Sequence, residues 1–106
     1  MVDASKIRFP ITLEEFTNLQ RPEMHRSPTR EDLEIFSEVV ETANEVYYAA
    51  AEGDSEAVEA ILSSINIVAA EMPEANHLAA LCRGWALKAL LEGAKVVKKK
   101  LDSMEG

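Results

Sequence analysis

The chain has 106 residues, 47% hydrophobic and 28% charged, with a formal net charge of -8. That is room for one hydrophobic core and not two, and it is too apolar for intrinsic disorder. A pI of about 4.7 is the reverse of the basic profile of nucleic-acid binders, so direct nucleic-acid binding is not expected.

Residues 1–28 read as an arm, because Pro10, Pro22 and Pro28, three of the four prolines, fall there. Within it Thr12-Leu-Glu-Glu15 has capping-box spacing, with a hydroxyl and a carboxylate three residues apart at a helix start. A short helix over about 12–20 is expected, carrying Leu13, Phe16 and Leu19 behind Ile7, Phe9 and Ile11. The arm has no uninterrupted apolar run of the kind a signal peptide needs, and no run of about 18 apolar residues follows anywhere. With a single cysteine, Cys82, and so no internal disulfide, the expectation is a cytoplasmic protein that does not enter a membrane.

Residues 29–104 read as a helical bundle, since their apolar residues recur every three or four positions. The first long helix, about 30–52, opens on Thr29 and Asp32, buries Leu33, Phe36, Val40, Ala43, Tyr47 and Ala50, and ends at Gly53. Asp54 caps a second helix over about 55–72, with Val58, Ile61, Leu62, Ile65, Val68, Ala69 and Met72 as its buried stripe. Pro73 stops it and suits the first turn of a third helix over about 74–103. Gly84 and Gly93 lie inside that helix, where each costs roughly 1 kcal/mol relative to alanine, so both are expected at close helix contacts. Trp85 and Tyr47 are expected to anchor the core, with Tyr48 at its margin.

Two short connections make the fold class all-α: an antiparallel up-down-up three-helix bundle with a long third helix, plus the arm. The third helix outruns its partners, leaving Val96, Val97, Leu101 and Met104 to be covered either by the arm or by a second copy of the chain. The run Ala49–Leu62 resembles the helix-turn-helix of an ankyrin repeat, and His77–Ala80 with Lys88–Ala94 is similar again. The Thr-Pro-Leu-His turn is missing, and the second helix runs past the ankyrin length. The resemblance implies an alanine-rich helical hairpin and assigns no binding residue.

Charge is unevenly divided. Residues 1–30 sum to +1, residues 31–82 to -12 with no Lys or Arg, and residues 83–106 to +3. Glu31, Glu34, Glu38, Glu41 and Glu45 recur at three- and four-residue spacing, which stacks them on the face opposite Phe36, Val40 and Tyr47. Such a rail either solvates the surface or meets a basic surface of another protein, where complementary charge speeds association and selects partners. Lys95, Lys98, Lys99 and Lys100 lie at the other end of the chain, where they complement a helix C-terminus.

Chemistry is not expected. Glu74-Ala-Asn-His77 has the Glu-x-x-His spacing of di-iron bundles, but such a site needs a second copy and further inward glutamates, and the other histidine, His25, is in the arm. Neither metal nor cofactor is therefore expected. Cys82 falls on an apolar stripe, about 140° around the helix from His77, which leaves no thiolate–imidazole pair. The sequence reads as a non-enzymatic protein-binding bundle, an adaptor or regulatory subunit using Glu31, Glu34, Glu38, Glu41 and Glu45. The alternative is an acidic inhibitor, such as an immunity protein, phage antagonist or nucleic-acid mimic, that blocks a basic groove of another protein.

Overall fold

The computed structural model describes residues 8–20, 24 and 26–105, and every regular element among them is helical. These are α1 (Leu13–Gln20), α2 (Arg30–Ala51), α3 (Ser55–Glu71), a single 3-10 turn (Pro73–Ala75) and α4 (Asn76–Glu105). Ile7, Pro22 and His25 of the arm lie outside the described residues.

Local chemistry sets the boundaries. At α2 the Thr29 hydroxyl accepts from the Asp32 N–H (3.2 Å) while the Asp32 carboxylate accepts from the Thr29 N–H (2.8 Å), a complete capping box. At α1 the box is half formed: Thr12 accepts from the Glu15 N–H, but its hydroxyl, not its backbone N–H, meets the Glu15 carboxylate. Gly53 turns the chain at φ 78°, a conformation only glycine adopts without strain, and the Asp54 N–H then reaches the Ala49 carbonyl (2.8 Å). Asp54 caps α3 through the Ala57 N–H. Beyond Pro73 the chain first closes a 3-10 turn, with the Ala75 N–H on the Met72 carbonyl, so α4 starts at Asn76 and not at 74, and it runs on to Glu105.

The core forms where α2 meets α4. Val39, Ala43, Val46 and Ala50 on α2 and Ala79, Cys82, Ala86 and Ala89 on α4 are all buried at alternating three- and four-residue spacing. Small side chains let the two backbones close in. A Cβ placed on Gly93 would lie 2.5 Å from the Ala50 Cβ and 2.9 Å from the Tyr47 carbonyl oxygen, so glycine is a steric requirement there. Gly84 differs from expectation: a Cβ would meet nothing within 4 Å, because that position faces away from α2.

Because α2 and α4 close directly on each other, α3 rests on their joined edge, and only one row of its stripe is enclosed. Val58 and Ile65 are buried and Ile61, Leu62 and Ala69 half-buried, but Val68 and Met72, expected inside, are 40% and 48% exposed. Leu33, expected in the stripe of α2, is likewise exposed where that helix begins.

Residues 8–20 pack over the opposite side of α2 and α4. Phe16 is fully buried, edge-on to Trp85 (4.8 Å between centroids) and to Phe36 (5.2 Å), and Phe9 stacks on Tyr47 (5.8 Å). Asn44 fixes the approach by donating to the Ile11 carbonyl and accepting from the Ile11 N–H, both at 2.8 Å. These residues therefore cover Trp85 rather than the far end of α4.

Thirty residues of α4 span about 45 Å at 1.5 Å each, which accounts for most of the 50 Å long axis. The radius of gyration of 15.0 Å exceeds the roughly 13 Å of an equidimensional domain of this length. Gly93 is level with the last turn of α2, so the chain beyond Val97 projects past the Gly53 turn. Val96 and Val97, expected to be uncovered, are half-buried, with Val97 beside Ser55 and Val58 of α3. Leu101 and Met104 are 55% and 83% exposed.

Candidate protein-binding groove

All five glutamates of the rail, Glu31, Glu34, Glu38, Glu41 and Glu45, are exposed on α2. Helical spacing puts about 21 Å between the first and the last. Arg30 lies 3.8 Å from Glu34, both side chains largely solvated, so the pair offsets little of the mutual repulsion. Among the described residues none of the other four forms an ion pair, and the lysines of α4 do not reach them.

Three members of the rail also border a groove of about 300 Å³ between α2 and α3. Glu38, Glu41, Thr42 and Glu45 form one wall, and Ile61, Ser64, Ile65 and Val68 of α3 form the other. Its floor is Leu78, Ala79 and Cys82 of α4. One edge is thus anionic and the other apolar, and the groove exists because α3 sits on the edge of the α2–α4 pair. Glu31 and Glu34 lie beyond it, toward the start of α2. The acid spacing was visible in the sequence. The apolar wall was not, since Ile61 and Val68 read there as core.

The floor is chemically quiet. Burial, followed by the charge of Glu38, pushes the Cys82 thiol up from its ordinary value, and a hydrogen bond with Thr42 only partly opposes them. A raised thiol pKa leaves less thiolate, which lowers its nucleophilicity. Among the described residues no three His, Cys, Asp or Glu side chains gather as metal ligands would. No helix among them is long and apolar enough to cross a membrane.

Near the start of α2, Asp32 is held well below the ordinary carboxylate range, first by its hydrogen bond from Arg26 and then by the Thr29 backbone. These contacts serve the helix cap and lie outside the groove. The chain matches no family model, no curated protein and no solved structure.

Proposed function

We propose that this chain is a non-catalytic protein-binding bundle, an adaptor or regulatory subunit of the cytoplasm, whose helices α2–α4 take the up-down-up course. Its partner is another protein presenting a basic, amphipathic segment to the groove between α2 and α3. One observation carries the reading: Glu38, Glu41 and Glu45 border a groove whose other wall and floor are, apart from Ser64, apolar. A segment with lysines along one side and leucines along the next satisfies both surfaces together. Apolar contact supplies affinity, while the exposed glutamates steer the approach and reject acidic competitors.

The acidic-inhibitor reading draws support from Glu31 and Glu34, which extend the rail beyond the groove. Its charge density argues against a nucleic-acid mimic. Five carboxylates over about 21 Å give about one charge per 4–5 Å, sparser than the one per about 3.4 Å along a single duplex strand, and among the described residues no second row runs beside them at the spacing of the other strand.

The test is calorimetric titration of the full chain with a synthetic Lys/Leu amphipathic helix. Binding that weakens as salt rises, and that is lost on replacing Glu38, Glu41 and Glu45 together by Lys with circular dichroism unchanged, supports the groove. Equal affinity in the replaced protein removes the rail from the binding surface.

A further inference from the structure

The end of α4 has the composition just assigned to the partner. Leu101 and Met104, three residues apart, form one exposed stripe, with Lys98 and Lys100 on its two flanks and Lys99 beyond. Asp102 and Glu105 belong to the same segment, so its formal charges past Val97 sum to +1, with the lysines concentrated in its first turn. No ion pair engages these three lysines among the described residues, and Lys95 alone is matched, to Glu92 at 2.9 Å. Neither residues 8–20 nor α3 reaches Leu101 and Met104, since the first cover Trp85 and the second ends its contact with α4 near Val97.

We propose that the groove between α2 and α3 is occupied by the projecting end of α4 from a second copy of the chain, with the exchange made reciprocally. Leu101 and Met104 of one copy lie against Ile61 and Val68 of the other, and Lys98 and Lys100 face Glu45 and Glu41. The argument is charge complementarity joined to unsatisfied apolar surface. The described residues present an acidic groove and an apolar projection that begins with lysines, and a single copy cannot bring them together. From the floor residue Cys82 to Leu101 is about 28 Å along one straight helix, so the projection cannot fold back into its own groove. Two-fold exchange satisfies both surfaces in a closed pair and leaves no repeating end, which is how symmetric dimers avoid open polymerisation. The inference rests on the preceding reading that the groove is a docking site, and it gives that site a regulator: an outside basic segment must displace the second copy.

Sedimentation of the full chain at about 100 µM reads the mass directly. A species of about twice 11.7 kDa is expected. Reversing the tail with Lys98→Glu, Lys99→Glu and Lys100→Glu, or the groove with Glu38→Lys, Glu41→Lys and Glu45→Lys, weakens association roughly tenfold or more. Mixing the two reversed proteins restores a pair, because each then supplies one complementary junction. A monomeric full chain, or a dimer indifferent to both reversals, overturns the proposal. Titrating the tail-reversed chain with the Lys/Leu helix keeps the two readings apart. Binding of the peptide alongside a monomeric full chain removes self-docking and leaves the groove intact, whereas a dimer that survives both reversals without peptide binding removes the groove as well.

Discussion

The two sides of α2 follow opposite rules. Toward residues 8–20 and α4 it buries Phe36, Val39, Ala43 and Val46 beneath Phe9, Phe16 and Trp85, and Asn44 takes up both backbone groups of Ile11. Toward α3 it offers glutamates and Thr42 to a groove that nothing among the described residues fills. One helix therefore provides the rigidity of the molecule with one face and its exposed chemistry with the other. In the proposed function, stability and recognition fall to different residues, so each can be perturbed alone.

The largest contrast is between Trp85 and Val68. Trp85→Ala removes the ring on which Phe9 and Phe16 converge and is expected to cost about 3–5 kcal/mol in chemical denaturation. Val68→Ser on the exposed wall is expected to stay within about 0.5 kcal/mol while weakening peptide binding. A large loss of stability at Val68 would mean that α3 is as tightly enclosed as α2.

The glycines of α4 sharpen the same division. Gly93→Ala drives a methyl into Ala50 and the Tyr47 carbonyl, and is expected to destabilise by about 1–3 kcal/mol. Gly84→Ala meets open space and is expected to stabilise by roughly 1 kcal/mol, through helix propensity alone. Equal melting temperatures for the two variants would contradict the close approach of α2 and α4.

Smaller effects are expected at the cap and the rail. Thr29→Ala removes a capping hydroxyl and is expected to cost about 1 kcal/mol. Asp32 is more acidic in the folded chain than its ordinary value of 3.8. Its contribution is therefore complete above the ordinary carboxylate range and lost as pH falls below it, and Asp32→Asn flattens that part of the stability–pH curve. Glu41→Gln relieves like-charge repulsion and is expected to stabilise α2 by a few tenths of a kcal/mol at low salt.

Much of this architecture was legible in the residues because caps and breakers act locally. Thr29 with Asp32, Gly53, Asp54 and Pro73 each impose their effect within a turn of helix, so the bounds they predict for the three long helices fall within about two residues of the observed ones. What remained hidden depends on partners far along the chain. Asn44 and Ile11 are 33 residues apart, and no local pattern marks an amide that will clamp a distant strand of backbone. Periodicity identified the apolar row of α3 but not how deeply it would sink, which is decided by the small residues of α4. The rail is readable as spacing; that three of its five glutamates border an apolar groove follows only from the position of α3.

The aromatic cluster over α4 also equips the molecule with an internal optical gauge. Trp85 is the sole tryptophan, enclosed by Phe9 and Phe16, with the Lys88 ammonium 4.3 Å from its ring centre. Lifting residues 8–20 away would wet the indole and shift its emission to the red while the far-ultraviolet signal of the long helices stayed nearly constant. Fluorescence thus follows the seating of that segment in an unlabelled sample, separately from unfolding.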